Sequence, residues 1–296
     1  MWNGVVCQSP SKGQIVQSSS ATLPVSVQSD LTRFLTNRAA GSVPLTITFA
    51  TADFAPLLTN WLIHAARAGE PAPLVVAFDR GLGDAVDHAG LPVIRYRAAR
   101  SLADLWLQRV LFFEYLLDRD VDFIHSDLDA VWKRDPRPLC FADSSLDLVF
   151  SQGTNYPSDI WRRWGFVLCC GFFAVRASPA TVDFFTAVRD RIARVGDDQV
   201  AVNHLLAESG VVWNADGRSG NVLQIGDQSF TTWRRMVIGA SEKLDLRIGL
   251  LPHHLAPRLA GKFPDAYVHH PVGPGNPAQK ARVLNEIGCW MKSSAP

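Results

Sequence analysis

The 296-residue chain has no surplus of either charge: 29 Lys and Arg stand against 28 Asp and Glu, a formal net charge of +1. That balance gives no support to a nucleic-acid face or a polybasic membrane patch, so any anionic ligand has to be held by local groups. Paired cysteines are also missing. The five cysteines (Cys7, Cys140, Cys169, Cys170, Cys289) are odd in number, scattered, and without the C-x-x-C spacing of a zinc site, which points to a reducing compartment. No stretch is apolar for long enough to span a bilayer, and residues 1–29 carry no basic start followed by an apolar core. A cytoplasmic protein without a membrane span is expected.

What is present suits an ordinary globular protein: 47% hydrophobic and 19% charged residues supply an ample core for one large α/β domain or two small ones. Residues 1–29, rich in Ser, Gln and Val with little periodicity, read as a flexible extension, and residues 30–296 as one domain. A short helix is expected from Asp30 towards Gly41, then a strand at Val43–Ala50, a helix at Ala55–Ala68 stopped by Gly69, and strands at Leu74–Phe78 and Pro92–Tyr96. Such a βαβ alternation predicts a largely parallel sheet with ligands outside the carboxyl ends of its strands. Thr51, Asp53 and Asp79 sit at such ends, as ligand contacts or simply as helix caps and turn residues. Leu102, Leu105, Trp106, Val110, Phe113 and Leu117 recur at helical spacing and predict a helix over Leu102–Leu117.

The most informative stretch is Val121–Pro136, VDFIHSDLDAVWKRDP. An apolar run leads into Asp127 and Asp129, and Ala130-Val131-Trp132 follow before Asp135-Pro136 breaks the segment. On a strand, with its period of two, the two carboxylates point the same way, and they repel unless a cation or a shared proton lies between them. Oxygen ligands of this kind suit Mg²⁺ or Mn²⁺, which commonly carries a phosphorylated partner as its remaining ligands. As an isolated pattern, Asp-x-Asp is common and often binds nothing.

The segment resembles the Asp-x-Asp strand of the GT-A nucleotide-diphospho-sugar transferases, the family that includes plant arabinosyl- and xylosyltransferases. Its apolar strand (Phe123-Ile124), Asp127-Leu128-Asp129, the apolar pair Ala130-Val131, Trp132, the basic Lys133-Arg134 and Asp135-Pro136 follow the family's order. The resemblance extends in consistent order from about Leu31 to Glu286. It implies a GT-A fold, Rossmann-like, with a single mixed and mostly parallel sheet flanked by helices. It also implies transfer of a sugar from a nucleotide-diphosphate sugar, usually a UDP-sugar, to a hydroxyl acceptor with retention. The acceptor can be a glycan, a protein or a small molecule, and the sugar a hexose or a pentose.

The resemblance also distributes roles. Asp129 and His269 hold the Mn²⁺ or Mg²⁺, with Asp127 supporting the metal and the ribose; His270, on the opposite face of the same strand, is the alternative ligand. Lys280 lies near the diphosphate, beyond a Gly/Pro-rich loop. Thr51, Asp53, Arg109, Leu128 and Gly171 contribute to the donor site, although Arg109 also reads as a basic residue on the solvent side of its helix. Asp198-Gln199 opens a helix whose Asp faces the reacting sugar; as a bland alternative, Asp197 or Asp198 is merely an N-cap. Should Asp198 fail, Asp159, Asp197 and Asp227 are the next carboxylates. Cys169 stands where the family carries an Asn that helps to bind the sugar or acceptor. Two other readings compete. One is a haloacid-dehalogenase-type phosphatase, with Asp127 as nucleophile and Asp129 as acid; the other is a catalytically silent sugar-nucleotide or glycan-binding protein on the same fold.

Overall fold

A computed structural model describes residues 22–38, 43–70, 72–96, 101–214, 220–225, 228–272 and 275–291. In chain order the elements are α1 (Val25–Thr36), β1 (Leu45–Ala50), α2 (Ala55–Arg67), β2 (Leu74–Ala77), α3 (Arg80–His88), β3 (Val93–Arg95), α4 (Leu102–Leu117), β4 (Phe123–Ser126), β5 (Val131–Trp132) and α5 (Arg137–Cys140). There follow β6 (Leu148–Gln152), α6 (Ser158–Trp164), β7 (Leu168–Val175), α7 (Pro179–Val195), α8 (Asp198–Glu208), β8 (Val212–Trp213), β9 (Gly220–Ile225), β10 (Gln228–Trp233), β11 (Val237–Ser241), β12 (Leu246–Leu250), β13 (Val268–His269) and α9 (Pro277–Glu286).

Nine strands form one sheet in the order β3-β2-β1-β4-β7-β6-β12-β11-β8, in which only β7 and β11 run against the rest. The expected mixed, mostly parallel α/β sheet is therefore present. Both of its faces are covered. Alternate residues of β1, β2, β4, β6 and β7 divide between two cores: Ile47, Val76, Phe123 and Phe150 pack with α4 and α7, while Ala50, Val75, Ile124 and Val149 pack with α2, α3 and α9. This is why the strands read as continuous apolar runs rather than as alternating ones.

The helices obey their end signals. Ser101 caps α4 by accepting from the Asp104 N–H at 3.1 Å, and Ser178 opens α7 in a capping box with Thr181, with Pro179 in the first turn. Helix α4 spans the expected residues, but Leu102 at its start is 70% exposed; the helix is buried from Arg109 onward, between the sheet and α7. The boundary of the expected extension moves. Helix α1 starts at Val25, inside the stretch read as flexible, and ends at Thr36, because Leu23, Val27 and Leu31 find an apolar surface to cover. Residues 1–21 lie outside the described residues. A further helix, α3, joins β2 to β3, and Asp79 is its N-cap, accepting from the Leu82 N–H at 2.8 Å and from Ala52 N–H. Among the described residues no helix is long and apolar enough to cross a membrane.

Candidate active site

Strand β4 ends at Ser126 and the chain turns at once, the Asp127 carbonyl accepting from the Ala130 N–H at 3.0 Å. Asp127 and Asp129 thus sit on a turn between β4 and β5, not on a strand as expected, and it is the turn rather than a period of two that makes their carboxylates converge. The turn rests on Ser126, whose hydroxyl accepts from Trp61 Nε1 at 3.1 Å and Trp132 Nε1 at 3.2 Å; Trp61 also reaches the Ala130 carbonyl at 3.1 Å. The tryptophan that trails the aspartates is therefore a buried prop: its ring fills the core and its N–H finds a partner.

From the other side the turn is met by β7. The Asp127 N–H donates to the Gly171 carbonyl at 2.7 Å. Phe150 of β6 faces Phe173, but Ser151 faces Cys169, so residues 170–172 bulge out of register with β6. Bulges of this kind re-aim backbone next to active sites. A Cβ on Gly171 would collide with His270 Cε1 and lie 2.6 Å from Asp127 Oδ2, so any larger residue there must displace one or both side chains.

The C-terminal region closes the site. Strand β13 pairs antiparallel with β5, His269 opposite Val131, and delivers the following residue to the carboxylates. One ligand atom from each of Asp127, Asp129 and His270 lies within 4.8 Å of the others. The choice between the two histidines is the reverse of the one expected. His269 faces away: its Nε2 bonds the Leu259 carbonyl at 2.8 Å and its ring meets Phe263 edge-on. Alternation along the strand separates the two residues as predicted, but which face holds the cavity depends on how β13 pairs with β5. Lys280, from α9, places Nζ 2.5 Å from Asp129 Oδ2, and His270 Nε2 lies 3.5 Å from Asp129 Oδ1.

Charges set the protonation states. Burial alone would raise the Asp127 pKa, but the Arg109 guanidinium holds it down at about 2. For Asp129, too, burial opposes ionisation, and His270 and Lys280 overcome it and keep the carboxyl well below its usual range. His270 is pulled down by burial and by Arg258, yet Asp129 and Cys169 raise it on balance. Arg109 is buried and engaged through both of its terminal nitrogens. It donates to His125 Nε2 at 2.5 Å and to the Cys170 carbonyl at 3.1 Å, and lies 3.4 Å from Asp127, 3.5 Å from Asp198 and 4.7 Å above the Trp106 ring. His125, lowered to about 4 by burial and by Arg109, is neutral and accepts that bond.

Asp197 is the N-cap of α8, accepting from the Val200 N–H at 2.8 Å, and Asp198 stands in the first helical turn. Burial, with the negative charges of Asp197 and Asp127, pushes Asp198 up to about 7 against the attraction of Arg109. Gln199 accepts from the Cys170 N–H at 3.3 Å and donates to the Tyr156 carbonyl at 2.7 Å, tying the bulge to the preceding loop. Asn203 holds both the N–H and the C=O of Leu168 at 2.9 Å, which locks α8 onto β7.

One cavity gathers Arg109, Asp127, Asp129, Gly171, Asp198, Gln199, His270 and Lys280, together with Trp106, Tyr156, Cys169, Cys170, Asp197, Arg258 and Pro271. Thr51 and Asp53 lie at the carboxyl end of β1 but do not line it, and Leu128 is buried in the core. Asp159 pairs with His204 at 3.0 Å, and Asp227 lies outside the described residues. Arg258 had no signal in the sequence: it falls between Leu250 and Ala266, where no periodic element marks a face.

A sequence model of the nucleotide-diphospho-sugar transferases matches residues 71–275, more than half of the chain and with the whole turn inside it. The chain belongs to the nucleotide-diphospho-sugar transferase family. Among curated proteins none matches. Solved structures similar to this chain include the glycosyltransferase GlyE of Streptococcus pneumoniae TIGR4 (12% identity, TM-score 0.43, 56% of this chain and 43% of that one). Mouse xyloside xylosyltransferase 1 is similar at 13% identity and TM-score 0.40 (56% and 82%), and the bifunctional glycosyltransferase WbbM at 10% and 0.49 (88% and 51%). The chain spans less than two thirds of GlyE and WbbM. Membership of this family removes the phosphatase alternative, which in addition needs its aspartates after a short N-terminal strand, whereas here they follow β4.

For a nucleotide-diphospho-sugar transferase, the donor set fits a hard divalent cation: two ionised carboxylates and an imidazole converge, and a glycine leaves room where a Cβ would collide with two of them.

Proposed function

We propose that this transferase moves a hexosyl or pentosyl group from a nucleoside-diphosphate sugar, a UDP-sugar in the first instance, to a hydroxyl of a glycan, protein or small molecule, with retention at the anomeric carbon. The observation that carries the reading is the Asp127–Asp129–His270 cluster beside Lys280, at the end of β4, in a chain of this family. Asp127, Asp129 and His270 would hold Mn²⁺ or Mg²⁺, which supplies Lewis-acid neutralisation of the departing diphosphate. Lys280 offers a second positive charge to the same phosphates.

Asp198 is the carboxylate placed for the sugar. As the leaving group departs, positive charge grows on the anomeric carbon, and a carboxylate in the cavity wall stabilises it more than it stabilises the uncharged sugar ring of the donor. Gln199 positions the backbone of the bulge and of the loop at Tyr156 rather than acting on the sugar itself. Buried free thiols at Cys140, Cys169, Cys170 and Cys289 suit the reducing cytoplasm proposed as its location.

A panel of nucleotide sugars screened by thermal shift with Mn²⁺ tests the reading, because a ligand that binds the native state alone raises the melting temperature. A UDP-sugar is expected to raise it, with release of UDP on incubation with acceptor. No shift from any nucleotide sugar would sink the proposal; a shift with no UDP release under any acceptor would leave a binding protein on a transferase fold.

A further inference from the structure

Two arginines flank the carboxylate cluster, and they differ in how much of the guanidinium is engaged: Arg109 leaves only Nε without a partner, Arg258 both Nε and Nη1. Arg109 spends its guanidinium on His125, Cys170, Asp127 and Asp198. Arg258 also lines the cavity, yet its Nε and Nη1 are buried and have no hydrogen-bond partner, and no carboxylate of the described residues lies within 4.0 Å of it. Its charge is felt instead by His253, His269, His270 and Cys169: it helps to depress the first two histidines and opposes protonation of the third. Arg258 is half-buried and its charge helps to lower the Cys169 thiol to about 6, yet its Nε and Nη1 still have no acceptor, which leaves two donors of a permanently charged group for an anion in the cavity.

The side chain stands on a pinned segment. The Arg258 N–H donates to His253 Nε2 at 3.1 Å, its carbonyl accepts from the Val272 N–H at 2.8 Å, and the neighbouring Pro257 carbonyl accepts from the His270 N–H at 3.0 Å. The loop that presents Arg258 is thereby bonded to the residue that completes the carboxylate cluster, and the backbone that carries the side chain is held before any ligand arrives. Guanidinium forks match paired phosphoryl oxygens.

We infer that Arg258 is an anion-binding residue of the cavity that takes the terminal phosphoryl group of the departing nucleoside diphosphate, an inference that rests on the nucleotide-sugar reading. The stability of the free protein carries the opposite sign. Buried donors without partners cost folding free energy, so R258M, close in length and neutral, leaves the unliganded melting temperature equal to or above that of the wild type.

The test is isothermal titration of wild type and R258M with UMP, UDP, one neutral UDP-hexose, one UDP-hexuronate and inorganic pyrophosphate, all at fixed Mn²⁺. R258M is expected to weaken UDP and pyrophosphate by about tenfold or more, as a lost charge-assisted hydrogen bond does, and UMP by no more than about twofold. Unchanged UDP affinity in R258M overturns the inference, and a loss confined to the UDP-hexuronate reassigns the arginine to a sugar carboxylate and overturns it too. A loss of UMP as large as that of UDP, or an R258M protein that melts well below the wild type, would make Arg258 a structural partner of its neighbours and overturn it as well. If the wild type binds pyrophosphate through Arg258 but no nucleotide, the anion site stands and the nucleotide-sugar reading falls.

Discussion

His269 and His270 are adjacent, both buried, and differ only in the face to which they point. Because His270 stands with Asp127 and Asp129 while His269 bonds the Leu259 carbonyl, H270A should cost roughly 10- to 100-fold in Mn²⁺ affinity, and H269A should leave it within a few-fold. Equal losses, read by titration of Mn²⁺ by electron paramagnetic resonance, would take His270 out of the site. Asp198 makes a pH prediction. Its carboxyl is raised from 3.8 to about 7 in the folded protein, so between those values the unfolded chain has released a proton that the native state keeps. Stability from this group is complete below about pH 4, falls by about 1.4 kcal/mol for each pH unit above that, and is fully lost above about pH 7. The difference in melting temperature between D198N and wild type should therefore grow in favour of D198N from pH 4 to 7. A difference independent of pH would show that Asp198 titrates normally. D198N should also lower turnover by orders of magnitude with donor affinity nearly unchanged, since its charge matters as positive charge develops on the sugar.

At the scale of elements, the site depends on backbone approach as much as on side chains. The bulge of β7 brings Gly171 against Asp127 and His270, so G171A must push both away. It should abolish Mn²⁺-dependent nucleotide binding while the circular dichroism spectrum and cooperative melting persist; normal binding by G171A would show that the turn can yield. Helices α4 and α7 are joined by a different device. Glu114, buried on α4, receives Arg189 Nη1 at 2.9 and 3.1 Å and Thr186 Oγ1 at 2.9 Å, and burial nevertheless raises its pKa. R189M leaves that carboxylate short of its main partner and should cost about 3 kcal/mol in denaturant unfolding. E114Q, which keeps the shape and the threonine bond and removes the charge, should cost much less. Similar losses in the two variants would mean that packing, not charge, joins these helices.

At the scale of the molecule, α1 belongs to the domain. Leu31 is 0% exposed in the core that α4 and α7 share, so L31A should lower stability by about 3 kcal/mol, whereas a helix merely resting on the surface would lose a few tenths. The sheet and the covering of both its faces were legible in the chain because apolar runs such as Leu74–Ala77 and the spacing from Leu105 to Leu117 are local signals, each contained within one element. Asp127, Asp129, Arg109, Gly171, Asp198 and Lys280 were singled out by a motif order that resembles the family's, and all six line the one cavity. Other features escaped. The start of helix α1 hides in a Ser- and Gln-rich stretch whose few apolar residues gain meaning only against a surface built by elements much later in the chain, and Arg258 lies on an aperiodic loop. Which histidine meets the carboxylates was likewise beyond the sequence. By itself the sequence determined the chemistry available, two carboxylates, an imidazole and a lysine in a fixed order, and the strands and helices that carry them, since these follow from nearest-neighbour sterics and periodicity. Tertiary structure alone decided which of those groups share one cavity, because the pairing of β13 with β5, the bulge in β7 and the unmet charge of Arg258 arise from contacts between segments far apart in the chain or from a loop folded back across the site.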